Sequence, residues 1–192
     1  MNRKLIFRLA TLTWIGFSII GYLIIENYLG ESIRLILQGN FSWYYQVFVG
    51  SIGGIFIALI GWEIITIPIL QSTKIFFVHL IKPLQLTISE IVYISFCAGV
   101  GEEILFRGAI QPLLGIWLTA VVFVAIHGYL NPFNWRLSIY GVFMTVAIVG
   151  IGLMTIRIGL LSSIIAHIMI DVILLYKLSH ATYVDDNREE IL

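Results

Sequence analysis

Charge is what this chain lacks most. Of its 192 residues, 11% are Asp, Glu, Lys or Arg, against about 25% in an ordinary soluble domain. So few charges cannot clothe a globular surface in water, which excludes the soluble classes and leaves a bilayer as the fitting solvent. No sign is in surplus either: 11 basic and 11 acidic residues cancel to a net charge of zero. The basic excess that nucleic-acid binding requires is therefore missing, and no nucleic-acid partner is expected. Cysteine occurs once, at Cys97. It cannot form an internal disulfide, and within its apolar run it reads as a packing residue that says little about redox compartment. No linker, repeat or low-complexity block divides the chain.

What fills the chain is apolar: 59% of residues are hydrophobic and the mean hydropathy is +0.99. A helix needs about 20 apolar residues to cross about 30 Å of hydrocarbon. Runs of that kind fall near residues 6–25, 46–67, 87–111, 113–127, 137–156 and 159–176, the fourth being short. The expected fold is all-α, a polytopic helical membrane protein of about six transmembrane helices, with its site in the core of the last four. The first run follows Asn2-Arg3-Lys4 and resembles a signal peptide. Its length, and the want of a small-x-small cleavage site, favour a retained anchor. Three regions are expected: N-terminal helices and a connection over 1–85, a core over 86–178, and a polar tail over 179–192, frayed around 185–190.

Lysine and arginine set the orientation. With the N-terminus inside, Arg3, Lys4, Arg8, Lys74, Lys82, Arg136, Lys177 and Arg188 fall on the cytoplasmic side, and Arg34, Arg107 and Arg157 on the other. This predicts a multi-pass protein of the cell membrane with both ends in the cytoplasm. Gly50 and Gly54 form a GxxxG, which marks close helix packing more than chemistry.

Against this background the polar residues inside the runs stand out. Ionisable groups at membrane depth cost several kcal/mol and face a bundle interior or a watery cavity. Glu63, Glu90 and His79 lie near span ends, where side chains can snorkel. Glu102, Glu103, Arg107, His127, His167 and Asp171 do not. Glu103 and Arg107 are one helical turn apart and form a natural ion pair. Glu102 points about 100° away on the same helix, so it is the carboxylate left over, and Glu103 is expected to face away from any cavity. Counted from the near ends of their helices, Glu102 lies about 13 Å deep, His127 about 18 Å, His167 about 12 Å and Asp171 about 18 Å. Three helices thus put polar groups in one stratum, which predicts one shared site.

A carboxylate and an imidazole can together deprotonate water for attack on an amide carbonyl. A second imidazole can hold the developing oxyanion. The same four groups, Glu102, His127, His167 and Asp171, are also alternative zinc ligands around an open position. No HExxH, GxSxG or serine–histidine arrangement occurs, and Ser162 and Ser163 read as small packing residues.

The segments GEEILFRG, FVAIH and HIMID, in that order on three hydrophobic helices, resemble the motifs EExxxR, FxxxH and HxxxN or HxxxD of the CAAX-protease and bacteriocin-processing family, also called CPBP or Abi. The likeness covers about residues 90–175, and RIGLLSSIIAHIMID is similar to the family's last motif region. The resemblance implies an intramembrane endopeptidase similar to the type II prenyl-protein enzymes, which cut after a prenylated cysteine near a protein's C-terminus. Bacterial members are often linked to bacteriocin maturation or self-immunity. On this resemblance Glu102 is the general base, assisted by His127, and His167 with residue 171 forms the oxyanion site. Glu103, Arg107 and Phe123 support the motif helices. No cofactor is the preferred expectation, zinc the alternative; the implied partners are membrane lipid and a membrane-associated peptide or protein substrate. One position departs from the prenyl-endopeptidase branch, which has asparagine where this chain has Asp171. An ionised aspartate cannot donate to an oxyanion, so Asp171 is protonated, orients His167 or ligates a metal. Two other readings stand beside the protease: a non-catalytic membrane immunity or peptide-binding protein, and a proton-coupled transporter. The transporter is disfavoured because no discontinuous repeat pair is present.

Overall fold

The structure is a computed structural model that describes residues 3–182. The tail expected around 185–190 lies outside the described residues. Among the described residues there is helix and no strand, so the protein is an all-α polytopic membrane protein. We number the helices α1 (Arg3–Tyr28), α2 (Ile33–Gln38), α3 (Trp43–Thr66), α4 (Gln71–Ile81), α5 (Ile88–Glu103), α6 (Gln111–Ile126), α7 (Trp135–Arg157) and α8 (Leu160–His180). Between α5 and α6 the chain stays helical in wider π turns over Ile104–Ile110.

Large and small residues trade places here relative to a soluble helix. On α3, Phe48, Ile52, Phe56 and Leu59 are exposed, whereas Gly50, Gly54, Ala58 and Gly61 are buried. Lipid solvates the bulky face, so helices associate through their small residues, where backbones can approach. A Cβ added at Gly50 would lie 2.4 Å from the Ser162 carbonyl oxygen, and one at Gly54 2.4 Å from that of Ala166. The GxxxG therefore seats α8 against α3. Gly99 on α5 meets Ile164 and Ile168 on the other side of α8, and α8 stands at the centre of the bundle.

Among the described residues, five stretches are long and apolar enough to cross a membrane: α1, α3, the run Ile88–Ile126, α7 and α8. The third is the union of the two spans expected at 87–111 and 113–127. It breaks at Gly115, whose φ of 77° and ψ of 166° are non-helical, and doubles back. Phe106 meets Phe123 with ring centroids 5.0 Å apart, and Glu102 meets His127, as in an antiparallel hairpin. The return arm after Gly115 rises only about 17 Å, short of the about 30 Å needed to cross. Its end, at His127, is consequently left midway along the bundle rather than at a membrane face.

The start of α5 is fixed twice. Thr87 and Glu90 form a reciprocal capping box, with the Thr87 amide donating to Glu90 Oε2 at 2.9 Å. Arg3 of α1 donates through Nε to the same carboxylate at 3.1 Å. Glu90 is thereby accounted for as a cap and an interhelical tie.

Candidate active site

His127 closes α6. Its Nδ1–H donates to the Phe123 carbonyl at 2.7 Å, because a carbonyl can only accept. That leaves Nε2 as the ring's outward nitrogen, 3.4 Å from Glu102 Oε2. His167, midway along α8, is fixed from its other side: Nδ1 donates to Glu103 Oε1 at 2.8 Å. Its Nε2 then lies 3.9 Å from Glu102 Oε2 and 3.6 Å from Asp171 Oδ2. Both imidazoles are oriented by acceptors at Nδ1 and turn Nε2 toward one carboxylate oxygen. Each of the six intramembrane residues singled out from the sequence is in this cluster.

Glu103 departs from expectation. It forms the ion pair with Arg107, Nε to Oε2 at 3.3 Å, yet it does not face away from the cluster. Its other oxygen holds His167. Two carboxylates about 100° apart on one helix can share a partner because an imidazole carries two nitrogens pointing in different directions. His167 uses one for each. The pair Glu103–Arg107 is fully buried, at 0% and 2% exposure, and Nη1 and Nη2 of Arg107 find no hydrogen-bond partner among the described residues. The guanidinium lies instead over Phe123, 4.8 Å from the ring centroid. Phe123 also stacks on His127 at 4.4 Å and meets His167 edge-on at 5.9 Å. One aromatic ring thus spaces the cation from both imidazoles.

The π turns begin immediately after Glu103 and contain Arg107. Such widened turns recur where a helix must present neighbouring side chains in a non-standard direction. Ser162 and Ser163 are buried packing residues, their hydroxyls donating to the carbonyls of Gly159 and Leu160 at 2.7 and 2.8 Å. Glu63 and His79 are exposed, away from the cluster.

Both inward Nε2 atoms and the two carboxylates are groups that bind metals as well as protons. Among the described residues, however, no three His, Cys, Asp or Glu side chains are disposed to hold a metal ion.

Beside the cluster opens a cavity of about 250 Å³, reached between α3, α4 and α8. Its wall is apolar, with Trp62, Ile65, Phe77 and Leu174 among its members, and its polar groups are His127, Asp171, Tyr129 and Tyr140. Neither tyrosine was assigned to the site from the sequence. Their signal is His127-Gly128-Tyr129. Gly128 is left-handed at φ 78°, its amide donates to the Ala125 carbonyl at 2.9 Å, and that of Tyr129 to Val124 at 3.2 Å. This is a Schellman turn, which folds the residue after the glycine back onto its own helix.

Residues 84–173 match the family described as type II CAAX prenyl endopeptidase Rce1-like. No curated protein and no solved structure matches the chain. The matched segment, just under half of the chain, contains all six clustered residues, and the matched family is the kind that the three motifs resemble.

Proposed function

Taking that match over residues 84–173 as the premise, we propose that this protein is an intramembrane endopeptidase that hydrolyses a peptide bond in a membrane-associated peptide with activated water and no metal. The observation that carries the reading is the Glu102–His127 pair, 3.4 Å apart, with His127 tautomerically fixed by the Phe123 carbonyl.

A water between Glu102 Oε2 and His127 Nε2 donates one proton to each acceptor. Glu102 takes its proton as the water oxygen bonds to the scissile carbonyl carbon, and the carbonyl π pair moves onto the carbonyl oxygen. With Nδ1 committed to Glu103, His167 carries a second proton on Nε2 when it donates to that oxyanion. Asp171 and Glu102, at 3.6 and 3.9 Å, balance the resulting charge. Collapse of the tetrahedral intermediate breaks the C–N bond, and the proton on Glu102 passes to the leaving nitrogen. The products are a carboxyl group, which keeps the water oxygen, and an amine.

The apolar cavity beside His127 and Asp171 suits a hydrophobic group next to the scissile bond, on a substrate that enters from the membrane. The lysine and arginine distribution supports a cell-membrane protein with cytoplasmic termini. The test is cleavage of a membrane-peptide library by the full chain in liposomes, compared with Glu102→Gln. Loss of a general base lowers turnover by about 10²- to 10⁴-fold. Equal cleavage by the two proteins would overturn the proposal.

A further inference from the structure

The polar wall of the cavity poses a problem of donors. His127 has given its Nδ1 proton to a backbone carbonyl, and an ionised Asp171 only accepts. The remaining donors lining the cavity are the phenols of Tyr129 and Tyr140 and the indole N–H of Trp62, whose ring lies under Lys74 and Lys177 at 5.4 and 5.0 Å. Neither hydroxyl has a hydrogen-bond partner among the described residues, although each ring is closely packed.

The two are not equivalent. Tyr140 Oη is turned toward α3, where a Cβ built on Gly61 would lie 3.4 Å from it. Tyr129 lies nearly parallel to His127, the rings 24° apart in plane and 6.4 Å between centroids, and it shares the cavity lining with His127 and Asp171. Its position is over-determined. The Schellman turn sets its backbone, Phe77 and Tyr140 hold its ring at 5.7 and 5.8 Å, and α7 closes on its carbonyl. A Cβ at Gly141 would lie 2.6 Å from the Tyr129 carbonyl oxygen. A packing role alone needs the ring and would be met by phenylalanine. A hydroxyl left open to a cavity beside the reacting groups is a donor in search of an acceptor.

We propose that the Tyr129 hydroxyl donates a hydrogen bond to the carbonyl oxygen of the scissile peptide bond, supplying the donor that a carboxylate at position 171 lacks. This deepens the endopeptidase reading and rests on it. The hydrogen bond strengthens as negative charge develops on that oxygen, so Tyr129 acts together with His167 Nε2 rather than in its place.

Two measurements on the full chain in liposomes test it. In the first, Tyr129→Phe, which keeps the ring, lowers kcat by about 10²-fold with KM little changed. Tyr22→Phe, at an exposed ring on α1 outside the cavity, leaves kcat within about twofold of wild type, since no transition-state contact is removed. Adding Asp171→Asn to Tyr129→Phe restores at least about tenfold, because the amide N–H replaces the lost donor. In the second, affinity for a peptidyl trifluoromethyl ketone, which mimics the tetrahedral adduct, falls at least about tenfold in Tyr129→Phe, while affinity for the matching alcohol does not. A Tyr129→Phe enzyme as active as wild type, or a loss that Asp171→Asn leaves unrestored, overturns the inference. A wild type that binds the ketone but cleaves no peptide overturns the endopeptidase reading instead, and the ketone affinities still decide for or against the Tyr129 contact.

Discussion

Glu103 Oε1 lies 2.8 Å from Nδ1 of His167, on the carboxylate whose other oxygen faces Arg107. The charge that neutralises a buried arginine therefore also aims an imidazole of the site. Stability and geometry are joined in one side chain.

Glu103→Gln separates the two. The amide oxygen can still accept from His167, but Arg107 is left buried without a counter-charge, which costs about 3–5 kcal/mol. Denaturation in mild detergent is expected to shift strongly, with turnover per folded molecule reduced far less than in Glu102→Gln. A variant that folds as wild type yet cleaves nothing would mean that Glu103, not Glu102, is the base.

Asp171→Asn keeps or raises peptide cleavage, since asparagine supplies an N–H that an ionised aspartate lacks. A chelator leaves both proteins active. If Asp171 ligates zinc, the wild type loses activity in chelator and the variant falls by about 10- to 100-fold. Rates with and without chelator, measured on both, discriminate the two outcomes.

Gly115→Ala tests the hairpin. No atom lies within 4 Å of a Cβ built there, so sterics are silent and only the backbone resists. A φ of 77° with ψ of 166° is a region reserved almost wholly for glycine, and forcing another residue into it costs about 1–3 kcal/mol. Reduced thermal stability is expected, with activity at low temperature retained if the hairpin survives. Unchanged stability would show that the return of α6 does not depend on this residue.

Much of this molecule could be read from the order of its residues. Composition placed it in a bilayer, because too few charges exist to solvate a water-exposed surface. Glu102, His127, His167 and Asp171 could be found one by one, since an ionisable side chain in hydrocarbon needs a reason, and helical rise alone put them at similar depth. The Glu103–Arg107 pair followed from a four-residue spacing on one helix. Other features were beyond that reach. The run 113–127 has the composition of a span, and only the backbone at Gly115 makes it a short return arm that stops midway. Glu103 was expected to face away because helix geometry describes one helix at a time, whereas the partner that recaptures it, His167, comes from 64 residues along the chain.

The division has one physical cause. Hydropathy, charge and the period of a helix are local quantities, additive along the chain, and they determined that this protein is a helical membrane protein with acids and imidazoles in its core. Which nitrogen of each imidazole faces Glu102, and which hydroxyls line the cavity beside it, depends on contacts between segments far apart in sequence. Small residues at Gly50, Gly54 and Gly99 let α8 sit close between α3 and α5, and that approach, decided only in three dimensions, sets the distances over which the proposed chemistry would run.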